Sequence, residues 1–148
     1  MAVDTKAWQS MIDSAKNGNL SVKFNDSVSV NAEEFVYIER DCQAMKDEIQ
    51  ALQRIATGIS KREVWGLGES SDWIKSAPIL VARLRAKAQG AADGNDVHSI
   101  LQQHYDVIDK IQELHRTIAQ KYTEADSAFS SKYNELMASL PQGFQGQK

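Results

Sequence analysis

Residues 31–61, NAEEFVYIERDCQAMKDEIQALQRIATGISK, decide the fold class. Within them Phe35, Ile38, Cys42, Met45, Ile49, Leu52, Ala56 and Ile59 recur at alternating steps of three and four. That is a heptad seam, sustained for about three and a half repeats, and a β period of two does not produce it. Asn31 is a good N-cap, and Glu33 and Glu34 sit in the first turn beside the positive end of the helix dipole. Lys61, Arg62 and the glycines of Trp65-Gly66-Leu67-Gly68 mark the stop. The reading is one long helix over about 32–61.

A second seam lies further along. Val97, Leu101, His104, Ile108, Ile111, His115, Ile118, Tyr122, Ala125, Phe129, Tyr133 and Leu136 keep helical spacing, and Val107 and Leu114 widen the stripe. Asp96 or Asn95 caps its start. One helix over 96–138 would be roughly 60 Å long. The expected fold is all-α: an antiparallel hairpin of these two long helices, seam to seam, with Ile111 at the centre of the core and two shorter helices completing a bundle. Helix 96–138 exceeds helix 32–61 by about a dozen residues on this reading, and the excess still carries an apolar stripe. A long stripe without a neighbour marks a contact surface, so a dimer or a heteromeric partner is expected.

The shorter helices read as follows. Residues 4–17 carry Trp8, Met11, Ile12 and Ala15 at helical spacing, and Asn17-Gly18-Asn19 ends them. A helix over 71–89, capped by Ser70 or Ser71, contains Pro78, so a kink or a fresh start with Ser76 as cap is expected there. Ile74, Leu80, Leu84 and Ala88 would supply its inner face. Between the first two helices, Leu20, Val22, Phe24, Val28 and Val30 alternate with polar residues around Asn25-Asp26, which reads as extended chain and a small hairpin. Residues 1–140 form one domain, and the tail 141–148, rich in Gln and Gly, reads as disordered.

Composition narrows the function. With 148 residues the chain has material for a real core, and its net charge is −3. Nucleic-acid binding calls for a basic stripe, which this balance does not suggest. The longest apolar run, Ala77 to Ala82, is too short for an integral membrane segment. The opening MAVDTKAWQSM lacks a basic start followed by an apolar run, so no cleaved signal peptide is expected. The expected location is the cytoplasm, with any export using a route that needs no cleaved signal.

Chemistry is sparse. Cys42, the single cysteine, falls on the seam and reads as a small buried core residue with an inert thiol. His104 and His115 share a seam about three turns apart, too far for one metal ion, and no zinc, calcium or Glu-x-x-His pattern occurs. The Gly66-Leu67-Gly68 loop follows a helix, whereas phosphate loops follow strands. No catalytic, metal or cofactor site is expected. The remaining candidates are interaction anchors. Trp65, Leu67 and Trp73 gather apolar bulk around Gly66 and Gly68, either capping one end of the bundle or presenting an exposed anchor to a partner.

The organisation resembles the helical-hairpin proteins of the actinobacterial type VII (ESX) secretion system, the Trp-x-Gly proteins and their larger relatives. The likeness rests on two long helices with a Trp-Gly region between them, on WQSMIDSAKNGNLSVKF over 8–24, and on LQQHYDVIDKIQELHRTIAQKYTEAD over 101–126. It departs from that family at Trp65-Gly66-Leu67-Gly68, where glycine stands first and third after Trp rather than second. The extra helix between 62 and 95 is a second departure. The resemblance implies a homodimer or heterodimer with another helical-hairpin protein. It also implies an export signal of the Tyr-x-x-x-Asp type, here Tyr122 and Asp126, read by the secretion ATPase. Tyr37 with Asp41 and Tyr105 with Asp109 fit the same pattern, but only Tyr122 lies near the C-terminal end. One helical turn apart, Tyr122 and Asp126 would share a face. A cytoplasmic structural or adaptor subunit, such as a toxin partner or a phage component, is the alternative.

Overall fold

The computed structural model describes residues 5–20 and 30–141, and these are 75% helical. The extended segment expected around 21–29 and the tail 142–148 lie outside the described residues. Five helices follow one another: α1 Thr5–Lys16, α2 Ala32–Ser60, α3 Ser76–Ala88, α4 Val97–Ala125 and α5 Ser127–Ser139. The chain divides into two compact units, the first made of 1–46 with 107–148, the second of 47–106.

Two expected helices are corrected at their boundaries. The long C-terminal helix is not one element over 96–138. It ends at Ala125, Asp126 is extended with φ −132° and ψ 111°, and α5 begins at Ser127. The Asp126 carboxylate accepts from the N–H groups of Ala128 at 2.8 Å and Phe129 at 3.1 Å. It therefore serves as an N-cap, a role in which a short acidic side chain competes with continued helix. The expected excess length disappears, because α2 and α4 each span 29 residues. The helix expected over 71–89 starts only at Ser76. Its N-cap is Lys75, which makes no side-chain cap bond, and neither Ser70 nor Ser71 lies in the helix. Pro78 falls in the first turn, where its missing N–H costs nothing.

Other ends form as expected. Asn31 Oδ1 accepts from the Glu33 N–H at 2.9 Å. Asp96, nearly fully buried, accepts from the Ser99 N–H and hydroxyl, each at 2.9 Å, and from the Ala91 N–H at 3.2 Å. Burial alone would raise its carboxyl, but those donors, with Gly90 N–H, hold it below the ordinary value.

The seams are where structure departs most from pattern. On α2 the buried positions are Ala32, Val36, Glu39, Cys42, Lys46, Ile49, Gln53 and Ala56. Cys42, Ile49 and Ala56 belong to the expected seam. Ile38, Met45 and Leu52 give way to the next residue along: Glu39, Lys46 and Gln53 turn inward, while Met45, Leu52 and Ile59 are exposed. On α4 the same happens. Ile108, Gln112 and Ala119 are buried, whereas Ile111 and Ile118 are only half-buried.

Polar pairing explains the shift. In the first unit Glu39 is 2% exposed. Arg116 Nε donates to its Oε2 at 2.8 Å, and a second guanidinium N–H completes the fork. Gln112, 1% exposed, donates to Glu39 Oε1 at 2.8 Å and accepts from Lys46 Nζ at 2.9 Å. Lys46 also donates to Asp109 at 2.7 Å. In the second unit Gln53 donates to Gln102 Oε1 at 3.0 Å. Glu39, Lys46 and Gln53 are seven apart in sequence, as are Arg116, Asp109 and Gln102. Among the described residues every buried side-chain nitrogen and oxygen has a partner.

Apolar packing in the first unit is local. Ile12, Ala15 and Leu114 cluster with Trp8, Leu20 and Ile118, which fastens α1 to α4. Ala32, Ala119 and Phe129 cluster with Phe35 and Tyr133. Phe129 meets Phe35 edge-on at 5.8 Å and stacks on Tyr133 at 5.7 Å. The second unit buries Ile49, Ala56, Ala77, Val81 and Ala88, mostly small side chains.

Removing one member of the Glu39 cluster should cost more than removing two. Arg116→Met leaves a buried carboxylate with Gln112 as its remaining side-chain donor, and about 2–3 kcal/mol of stability should be lost. Adding Glu39→Leu should restore most of it. Denaturant unfolding of the wild type, both single variants and the double variant measures this. Equal losses for single and double variants would contradict the assignment.

Candidate interaction surfaces

The Trp65-Gly66-Leu67-Gly68 loop is built around a residue the sequence reading passed over, Glu69. Gly66 has φ +74° and Gly68 φ +86°, conformations an L side chain rarely adopts. They turn successive N–H groups toward one point. The Glu69 carboxylate occupies it, accepting from the N–H groups of Trp65, Gly66 at 3.1 Å and Leu67 at 2.8 Å. The loop is an anion nest filled by the chain's own side chain. Its own backbone N–H, then those of Trp65, Leu67 and Gly66, pull the Glu69 carboxyl from 4.5 down to about 2. A Cβ on Gly68 would come within 2.7 Å of Ile74 Cδ1, so the loop closes against the approach to α3. Glycines one and three residues before a carboxylate were the only signal for this in the sequence, and it is a weak one.

The two tryptophans separate. Trp65 is half-buried, its indole N–H donating to Arg62 O at 3.1 Å and its ring under the Arg62 guanidinium at 5.9 Å. Trp73 is 94% exposed. Leu67 is exposed and joins Ile74, Ile79, Leu80 and Arg83 around an open groove of about 370 Å³. The two therefore differ in exposure, Trp65 held by local contacts and Trp73 open to solvent.

Tyr122 and Asp126 do not lie on one face of a continuous helix, since α4 ends between them. The Tyr122 ring packs near Phe35 at 6.3 Å and Phe129 at 5.5 Å and stays partly exposed. The Asp126 carboxylate is exposed but engaged as the α5 cap. One histidine of this seam is also used internally, His115 Nδ1 lying 2.8 Å from Ile111 O. Cys42 is buried, and burial first, then Glu39, raises its thiol.

No family model, curated protein or solved structure matches this chain. Function must therefore be argued from the surfaces. Among the described residues no group of three or more His, Cys, Asp or Glu side chains is placed to hold a metal ion, and no helix is long and apolar enough to cross a membrane.

Two outcomes test these local geometries. Glu69 should titrate near 2 by carboxyl NMR. Because its folded value is depressed, its stabilising contribution is present above 4.5 and is lost as pH falls from there toward 2. Loop amides should lose exchange protection over that window, and Glu69→Gln should lose it at neutral pH. Asp126→Ala should destabilise by about 1 kcal/mol through loss of the cap, while Asp126→Asn, which still caps, should change little. Thermal melts of the two variants decide this.

Proposed function

We propose that α2 and α4 form one antiparallel helical hairpin and that the protein acts without catalysis, through contact with another polypeptide. We further propose that it serves a type VII (ESX) secretion system, as a substrate or an associated component. The observation that carries the contact reading is the split seam of α2. Its Cys42, Ile49 and Ala56 half is buried, and its Met45, Leu52 and Ile59 half, with Ile55 beside it, is exposed. Large apolar side chains at heptad spacing on the outer face of a helix suit a partner helix. The partner is a second copy or another helical-hairpin protein. The antiparallel sense is supported by the pairing order, Glu39 with Arg116, Lys46 with Asp109 and Gln53 with Gln102.

The secretion reading rests on the resemblance over 8–24 and 101–126, and on Tyr122 with Asp126 at the junction of α4 and α5. A receptor such as the secretion ATPase would meet an aromatic edge and a carboxylate fixed by two backbone N–H groups. The engagement of Asp126 as a cap favours the second reading, a cytoplasmic structural or adaptor subunit, because it gives that residue a purely structural reason to be there.

Two measurements bear on this. Light scattering of the purified wild type should show a dimer, or a helical protein should co-purify with it. Leu52→Asp with Ile55→Asp should abolish the association while leaving helix content by circular dichroism unchanged. For export, wild type, Tyr122→Ala, Asp126→Asn and the control Asp41→Asn are expressed in a host with a working type VII system. Loss from the culture filtrate is expected for the first two variants only. Asp126→Asn keeps the cap, so its loss would reflect recognition. Export of all alike removes Tyr122 and Asp126 as the signal, and retention of the wild type moves the protein to the adaptor class.

A further inference from the structure

The second unit is inverted in one respect. Helix α3 buries Ala77, Val81 and Ala88, while Ile79, Leu80 and Leu84 face outward. Trp73 and Ile74, just before the helix, are exposed as well. The charge on this stretch is equally one-sided. Residues 73–92, WIKSAPILVARLRAKAQGAA, hold Lys75, Arg83, Arg85 and Lys87 and no carboxylate, in a chain whose net charge is −3.

The cations are not neutralised by folding. Arg85 donates to the carbonyls of Arg62 and Glu63, at 2.7 and 2.9 Å, and Lys87 to that of Asn95 at 2.8 Å. Carbonyls take hydrogen bonds without cancelling charge. Lys75 and Arg83 are exposed, and neither forms an ion pair among the described residues. At 100° per residue, Ile79, Leu80, Arg83, Leu84 and Lys87 fall within one arc of about 140°, which borders the narrower arc of Ala77, Val81 and Ala88. Apolar and cationic side chains are thus interleaved on the outward side, with a tryptophan at its head.

We propose that this face of α3, with Trp73, docks on an anionic bilayer surface, lying in the interface without spanning it. Charge complementarity selects the occupant. A second copy meeting α3 with α3 would set Lys75, Arg83 and Lys87 against themselves with no carboxylate from 73–92 to offset them. Anionic headgroups meet Arg83 and Lys87 on this face and Lys75 just before it, while the long stems of Lys and Arg let the apolar side chains reach the acyl boundary. Tryptophan is favoured at that depth because its ring is apolar and its N–H stays wet. The inference is independent of export and of the outer face of α2.

The test uses the full-length protein with vesicles of phosphatidylcholine alone and of equimolar phosphatidylcholine and phosphatidylglycerol. Sedimentation with the anionic vesicles only is expected, released by high salt. Tryptophan emission should shift to the blue on binding, and Trp73→Phe should remove most of that shift. Each cation near an anionic surface contributes about fivefold in affinity, so Lys75→Glu with Arg83→Glu should weaken binding by at least about tenfold. All these positions are exposed, and circular dichroism should show the variants folded. Absence of binding to anionic vesicles, or undiminished affinity in the double charge variant, overturns the proposal. So does a lipid-free dimer that Ile79→Glu with Leu80→Glu converts to monomer, which would assign the face to a second copy.

Discussion

A carboxylate taken out of water must find donors or the helix that carries it will rotate it back into solvent. Glu39 finds them in Arg116 and Gln112, and the arrangement of α2 against α4 in the first unit follows. A displacement of one residue along either helix would turn the donors aside and leave a buried charge unpaired. The pairing thus fixes both rotation and register, which is the best-attested use of polar groups at heptad positions. Arg116 reflects the same contact from the other side, its guanidinium held more strongly protonated first by the Glu39 hydrogen bond. Tyr133 is affected too: burial first, then the nearby Glu39 charge, raises its hydroxyl.

The cost of this choice is carried by apolar residues. Once Glu39, Lys46 and Gln53 occupy inner positions, Met45, Leu52 and Ile59 are turned out. Hydrophobic burial would favour the opposite rotation at about 25 cal/mol per Å² of apolar surface. A surface that accepts this loss has its apolar side chains where a second molecule can cover them. In the second unit the same economy appears on α3, where Ala77, Val81 and Ala88 face in and Ile79, Leu80 and Leu84 face out. Backbone groups at the loop ends are satisfied by single side chains placed for the purpose: Arg85 for the carbonyls after α2, Glu69 for the glycine loop, Asp96 for the start of α4.

Asp126 illustrates how structure and recognition compete for one residue. As the cap of α5 it allows the chain to break after α4, and the break lets Phe129 and Tyr133 come together with Phe35. A receptor that read Tyr122 with Asp126 would be reading this folded junction and not a continuous helical face. Any substitution there acts on folding and on recognition together unless the cap is preserved.

The helices themselves were legible in the sequence. Spacing and caps placed α1 and α2 within a residue or two, because local propensity, Asn31 and the Asn17-Gly18-Asn19 stop act over a few residues. Cys42, Ile49 and Ala56 were identified as core by the same period. What tertiary structure decided was which polar residues go inside and where a long helix stops. Glu39, Lys46 and Gln53 look like solvated residues in one dimension, because their partners lie more than 40 residues away in sequence and only folding brings those together. Asp126 looked like one more exposed helical residue until Phe129 and Tyr133, drawn toward Phe35, made ending α4 worth more than continuing it. A hydrophobic period reports what each side chain would do against oil, and only the folded chain reports what a buried polar side chain meets.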